Sequence, residues 1–477
     1  MRYLSTRDSG SQPATSSFEE VLLAGLAVDG GLFVPEGLPA LDRETISGLA
    51  GLPYAALAAQ IFALFTGEAF GEAELAQLCR RAYGRFRHAA VAPLVQLDER
   101  LWLLELFHGP TLAFKDLALQ LVGLMFEAVL ERRGETVTIV GATSGDTGSA
   151  ALAACRDKTA LDIFMLYPEG RISDVQRRQM TTIAAPNTHA LAIEGSFDDC
   201  QDIVKALFAD PVLRRDLALS AVNSINFARV AAQIVYYVAA ALALGAPAQG
   251  VSFCVPTGNF GNVYAAHLAR RLGLPIERLV IGTNENDILA RYFGSGDMAI
   301  APVRATLSPS MDIQVASNFE RLLFDLYDRD GASVAQAIGD FRVTGALPKD
   351  ERVWHRARAL FSAHRVDDVA TLATIADTYR RAGQLIDPHT AVAVAAARSE
   401  IGHRGGRGPI VALATAHPAK FPDAVERATG IRPPVPAALA EIIDKPERIV
   451  VLPNDPGAVA RYVRAHARRA RPSRGAA

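Results

Sequence analysis

Residues 107–116 read Phe107-His108-Gly109-Pro110-Thr111-Leu112-Ala113-Phe114-Lys115-Asp116. The stretch leaves an apolar, strand-like run, Trp102-Leu103-Leu104-Glu105-Leu106, and turns at Gly109-Pro110. It then enters a long apolar helical pattern from about Leu117 to Arg132. Lys115 therefore falls in or just before the first turn of that helix. There the positive end of the helix dipole and partial burial both disfavour an ammonium and favour the neutral amine. A neutral amine is what lysine needs to react with a carbonyl. Taken alone, the same residues also describe an ordinary surface helix start with Lys115 paired to Asp116.

Working outward, the same order of strand, glycine-rich loop and helix recurs. Val137–Gly141, Asp162–Tyr167, His189–Glu194, Val251–Val255, Leu279–Gly282 and Ile410–Ala414 read as strands separated by helical patterns. One of those helices opens with a capping box at Ser196 and Asp199. Such alternation predicts an α/β fold of open, mostly parallel sheets with flanking helices, and ligands at the carboxyl ends of the strands. Before it, residues 1–90 read as a small helical domain, with Phe18–Ala27, Tyr54–Phe65 and Glu72–Tyr83 as helices. The α/β region is expected over 91–310, a mainly helical subdomain over 311–385, and a return to the α/β core with a C-terminal helix and tail over 386–477.

Three further segments carry chemistry. Pro256-Thr257-Gly258-Asn259-Phe260-Gly261-Asn262 leaves a strand and opens a helix. Its two glycines let successive backbone N–H groups converge at a helix N-terminus, which makes a phosphate cradle. The loop lacks the Gly-Lys-Ser/Thr ending of a nucleoside-triphosphate loop and the Gly-x-Gly-x-x-Gly of a dinucleotide fold. Gly141-Ala142-Thr143-Ser144-Gly145-Asp146-Thr147-Gly148 is a second such junction, richer in hydroxyls and suited to a carboxylate. Thr415, just past a strand, offers a hydroxyl that would meet a ring nitrogen without forcing it to be protonated. Each loop alone is equally a structural turn.

Composition narrows the class. A chain of 477 residues, half hydrophobic and 21% charged, is a globular protein of several units. No apolar run reaches the roughly 18–20 uninterrupted residues of a membrane span, and Met1–Asp8 has no apolar signal core. Cys79, Cys155, Cys200 and Cys254 are scattered, which points to reduced thiols in a cytoplasmic protein and away from a disulfide frame or a zinc site. The formal net charge of −2 argues against a nucleic-acid footprint. The arginine-rich tail from Arg461 to Arg474 reads as a helix end fraying into solvent.

One amine, one phosphate cradle, one carboxylate loop and one ring-nitrogen partner are what pyridoxal 5'-phosphate acting on an amino acid requires. At this point the chain resembles the threonine synthase family, within the fold type II pyridoxal-phosphate enzymes that include tryptophan synthase β chains and serine/threonine dehydratases. The resemblance covers nearly the whole chain. It rests on Asp29–Pro35, His108–Asp116, Thr143–Gly148, Gly195–Cys200, Asn223–Arg229, Gly258–Asn262, Pro309–Ile313 and Thr415–Phe421. It implies that Lys115 is the Schiff-base lysine, that Gly258, Asn259, Phe260, Gly261 and Asn262 hold the cofactor phosphate, and that Thr415 faces the pyridine nitrogen. Thr143, Ser144, Asp146 and Thr147 are expected at the substrate. Phe227 stands where relatives often carry tryptophan, an aromatic packing swap.

The implied reaction converts O-phospho-L-homoserine and water to L-threonine and phosphate by γ-elimination and β-addition of water. The substrate brings its own phosphate, so a second anion pocket is expected. Arg229 and Lys420 are its candidates, and Arg229 is preferred because a guanidinium grips phosphate bidentately. The same scaffold also serves phospholyases and dehydratases that release a 2-oxo acid, or a catalytically silent ligand-binding protein. A small-molecule substrate, no nucleic acid, no membrane and a monomer or homodimer complete the expectation.

Overall fold

The computed structural model describes residues 1–10, 12–221, 223–404 and 408–468. In chain order its strands are β1 (Tyr3–Ser5), β2 (Phe33–Pro35), β3 (Leu94–Gln96), β4 (Leu101–Glu105), β5 (Val137–Ala142), β6 (Leu161–Pro168) and β7 (Thr188–Glu194). They continue with β8 (Leu219–Ser220), β9 (Val251–Pro256), β10 (Ile276–Thr283), β11 (Phe361–Arg365), β12 (Ile410–Ala414) and β13 (Val450–Pro453). A six-stranded sheet has the order β11-β10-β9-β12-β4-β3, and a five-stranded sheet the order β13-β7-β6-β5-β8. All pairings in both are parallel except β3 on β4. Parallel strands covered on both faces need apolar side chains throughout. Every residue of β6 and of β12 is buried, as that requires.

Strand order places the site. β9, β12 and β4 are neighbours in the six-stranded sheet and run parallel. Their carboxyl ends therefore deliver Gly258–Asn262, Thr415–Phe421 and Leu106–Lys115 to one edge. Backbone bonds lock the last two together: Phe114 N–H donates to the Thr415 carbonyl at 2.8 Å, and His417 N–H to the Leu112 carbonyl at 3.0 Å. The five-stranded sheet sends in the turn that follows β5.

Two helices run through the core. In Lys115–Arg133, 14 of 19 residues are buried, and in Phe227–Ala243, 14 of 17. Such burial explains why the sequence of the first helix shows no polar stripe. Each fully buried Leu, Met or Phe on it, such as Leu121, Met125 and Phe126, stabilises the fold by roughly 1.5–3 kcal/mol. The Ser196–Asp199 capping box forms as its sequence requires. All four cysteines are buried and free.

The sequence pattern did not mark β1, β8 or three further strands. β3 and β13 are short, and β11 (Phe-Ser-Ala-His-Arg) sits among the four helices Phe319–Leu326, Gly331–Thr344, Glu351–Leu360 and Asp368–Ala382. All three are edge strands, which need no unbroken apolar run. The arginine-rich tail begins within the helix Pro456–His466; from 469 it lies outside the described residues. No helix among the described residues is long and apolar enough to cross a membrane.

Candidate active site

Lys115 is the first residue of its helix, is 9% exposed and lines a cleft of about 740 Å³ measured out to the solvent at its mouth. Burial lowers the Lys115 amine below its ordinary value; Asp146 opposes this, and the charges of Lys420 and Arg229 reinforce it. Its neighbour Asp116 does not pair with it. The Asp116 carboxylate accepts the Thr111 hydroxyl at 2.8 Å and the Thr111 N–H at 2.7 Å, which closes the Gly109–Thr111 turn. Burial pushes Asp116 up to about 6. A Cβ on Gly109 would meet the Asp116 side chain at 2.5 Å, so this turn requires glycine.

The cradle forms as its two glycines dictate. Phe260 takes a left-handed backbone conformation (φ 63°) and hands over to the helix Gly261–Arg271, whose first turn has no side-chain cap. Its orphan N–H groups and the helix dipole therefore face the cleft. A Cβ on Gly258 would stand 2.6 Å from the Ser310 carbonyl oxygen. The hydroxyls of Tyr236 and Tyr237 donate to Asn262 Oδ1, and its Nδ2 has no partner among the described residues.

Arg229 is 4% exposed, lines the same cleft, and has no partner for Nε or Nη1 among the described residues. Burial lowers its guanidinium to about 10. An uncompensated buried ion costs several kcal/mol, so the site is preorganised for an anion.

The turn after β5 is occupied from inside. Asp146 is buried and receives Lys420 Nζ at 2.7 Å and Gln176 Nε2 at 2.9 Å on Oδ1, with Lys115 Nζ at 3.6 Å from Oδ2. Burial alone would raise this carboxylate, but Lys420 and Lys115 together hold it below the usual range. Thr143 Oγ1 accepts the N–H groups of Gly145 and Gly148 at 3.0 and 2.8 Å, which shapes the turn.

Lys115, Asp146, Thr147, Arg229, Gly258–Asn262 and Thr415 thus line one cleft, as the sequence grouped them. Thr143 and Ser144 lie on the same turn but not on the cleft wall. Lys420, fully buried, donates to the Thr111 carbonyl at 2.9 Å and to Asp146, and does not line the cleft either. Sequence reasoning passed over His389, which lies on the cleft and is 3% exposed. Its Nδ1 bonds to buried Asp387 at 2.7 Å and its Nε2 accepts the Ser310 N–H at 3.3 Å. The signal was Asp387-Pro388-His389-Thr390, a helix start carrying two titratable groups, which reads as a cap.

Family profiles described as threonine synthase N terminus, pyridoxal-phosphate dependent enzyme, and threonine synthase, C-terminal match residues 2–83, 86–416 and 390–463. A threonine synthase of Pseudomonas aeruginosa is 52% identical over 473 residues, covering 99% of this chain and 100% of that protein. The crystal structure of a PLP-bound threonine synthase from Brucella melitensis has a TM-score of 0.95 at 49% identity, with 98% of this chain and 100% of that one covered. The yeast threonine synthase structure follows at 0.92 and 39%, with 98% of each chain covered.

Proposed function

The chain belongs to the threonine synthase family of pyridoxal-phosphate-dependent enzymes, and on that premise we propose that it converts O-phospho-L-homoserine and water to L-threonine and phosphate. The observation that carries the reading is the pairing of the buried Lys115 amine with the unpartnered Arg229 guanidinium in one cleft. The site residues also fit the cofactor. Orphan N–H groups open the Gly261–Arg271 helix, Asn262 Nδ2 lacks a partner, and Gly258 leaves room that a Cβ would fill.

Gly258–Asn262 would hold the cofactor phosphate, Lys115 would bond its aldehyde carbon, and the Thr415 hydroxyl would meet its ring nitrogen. When bound, the cofactor supplies an electron sink for charge developed on carbons beside the substrate amine. Lys115 Nζ, the amine nearest the reacting carbons, would move the protons at Cα and Cβ. Arg229 grips the substrate's γ-phosphate until it leaves. Thr147, the residue of the turn after β5 that lies on the cleft wall with a hydroxyl free among the described residues, holds the substrate carboxylate at the helix N-terminus. Phe114, Phe260 and Met311 on the cleft wall keep water out until Cβ is ready to receive it. We further infer a cytoplasmic enzyme, a monomer or homodimer, acting on a free small molecule.

The test is one incubation with O-phospho-L-homoserine, with threonine, phosphate and 2-oxobutyrate all measured. Threonine and phosphate in equal amounts are expected. Phosphate with 2-oxobutyrate in place of threonine would make the protein a phospholyase.

A further inference from the structure

Asp146 and Lys420 remain unused by that reading, and both are buried. Asp146 is 4% exposed and Lys420 0%. They come from different sheets: Asp146 follows β5, and Lys420 follows β12. Lys420 Nζ reaches the Thr111 carbonyl at 2.9 Å and Asp146 Oδ1 at 2.7 Å. Asp146 then turns its other oxygen to Lys115 Nζ at 3.6 Å. Gln176 Nε2 fixes Asp146 from a third side at 2.9 Å, and Gly145 (φ 131°) leaves only enough room for the Gln176 side chain. The turn Pro418–Lys420 that carries the second lysine is itself capped, by His417 Nδ1 accepting the Ala419 N–H at 3.1 Å. Such a pair is costly to bury unless its geometry is good and further hydrogen bonds hold it, as those of the Thr111 carbonyl and Gln176 do here.

We propose that Asp146 and Lys420 form a buried charge clamp that positions the Lys115 amine and sets how readily it gives up its proton. The proposal rests on Lys115 being the cofactor-bonding lysine. The groups that face Lys115 are Asp146 on the Asp146–Cys155 helix, Lys420 on the Pro418–Lys420 turn and Arg229 on the Phe227–Ala243 helix. His389 stands on the cleft wall with its Nδ1 turned to Asp387, and Asp116 on the Lys115 helix faces Thr111. Asp146 is thus the sole carboxylate in contact with the amine among the described residues. Two cations oppose it. Lys420 acts through Asp146, by sharing the carboxylate that would otherwise hold the Lys115 ammonium. Asp146 and Lys420 are positioning residues.

Removing either member should shift Lys115 in opposite directions, which a merely structural role would not do. The measurement is the pH dependence of covalent capture of pyridoxal 5'-phosphate by the full chain stripped of cofactor. In capture, the Lys115 nitrogen adds to the aldehyde carbon and one water leaves, without oxidation or reduction. Borohydride then reduces the carbon–nitrogen double bond, and peptide mapping identifies the lysine. D146N should move the capture profile to lower pH, because two cations now face the amine unopposed. K420M should move it to higher pH, because Asp146 is left to Lys115 alone. Shifts on the order of one to three pH units are expected for charges at these distances. K420R should keep the wild-type profile.

Shifts of the same sign in D146N and K420M, or none in either, overturn the proposal. Should a single variant fail to fold, D146N/K420M leaves no uncompensated buried charge from the pair and carries the test. Its profile should stay within one unit of wild type, and a larger displacement overturns the clamp. If wild type itself is labelled on another lysine, the assignment of Lys115 fails instead, so the two failures are distinguishable.

Discussion

The molecule uses one device twice. Gly258–Asn262 after β9 and Thr143–Gly148 after β5 are both glycine-bearing junctions that deliver a helix N-terminus to the same cleft. The first has no carboxylate of its own and keeps its orphan N–H groups facing the cleft. The second places Asp146 at the first position of its helix and neutralises it with Lys420 and Lys115. A helix N-terminus attracts an anion in either case. The cradle leaves that anion to come from outside; the turn supplies it from the chain and spends it on the reacting lysine. Motif shape alone therefore does not say which junction takes the cofactor phosphate, whereas the charges around it do.

The largest effect expected concerns the residue both junctions address. Lys115→Ala should lower threonine formation by about 10³-fold or more, since it removes the proton-moving group as well as the bond to the cofactor. Steady-state rates with O-phospho-L-homoserine measure it, and near wild-type turnover would show that the turn serves another group. Next, Arg229→Leu should weaken substrate binding by about 2–5 kcal/mol while leaving cofactor affinity nearly unchanged. Titrations of each ligand separate the two, and loss of pyridoxal phosphate would assign Arg229 to the cradle.

A third prediction contrasts two buried carboxylates at helix starts. Asp116 has no cation in contact, and burial lifts it to about 6. Its folded-state value thus exceeds its unfolded one. The folded state holds the extra proton between about pH 4 and 6, so stability from this group falls as pH rises through that window and is level above it. Asp116→Asn should remove that slope, a difference of about 2–3 kcal/mol between the two ends of the window. Denaturant midpoints at a series of pH values test this, and parallel curves for variant and wild type would contradict it. Asp146 behaves in the opposite sense: its lowered value adds stability that is lost only as the solution is made strongly acidic.

The smallest expected effect separates the junctions most cleanly. Gly258→Ala puts a Cβ 2.6 Å from the Ser310 carbonyl oxygen, and this overpacking should weaken cofactor binding by about 1–3 kcal/mol. Gly145→Ala instead meets Gln176 at 2.4 Å and strains the Asp146 turn. It should spare cofactor affinity and lower substrate affinity. Identical profiles for the two variants would erase the distinction drawn between the junctions.

Much of this was legible in the chain because chemistry leaves local marks. Gly109 before Lys115 and Gly258 in the cradle sit where a Cβ would collide with its neighbours, so these turns demand glycine. The strand–helix alternation likewise gave the α/β class. What the sequence hid was long-range. Nothing local tells that β4, β12 and β9 are neighbours, or that the chain leaves the six-stranded sheet for β5 to β8 and returns at β9. Asp146 and Lys420 lie 274 positions apart by their numbers, so their ion pair has no sequence signature. His389 was hidden differently, because its bonds to Asp387 and Ser310 make it look like part of a helix cap. Edge strand β11 was lost because one face of an edge tolerates Ser362 and His364.

The account turns on which amine meets the cofactor, and the chain holds only six lysines: Lys115, Lys158, Lys205, Lys349, Lys420 and Lys445. Lys158 is engaged by Glu127 at 2.8 Å, and Lys420 lies on the far side of Asp146. Borohydride reduction of the holoprotein, followed by peptide mapping of the pyridoxyl label, therefore tests the central claim directly. The label should fall on Lys115 alone, with loss of the visible absorbance of the bound cofactor. A label on Lys420, or on any of the other four, would contradict the site described here.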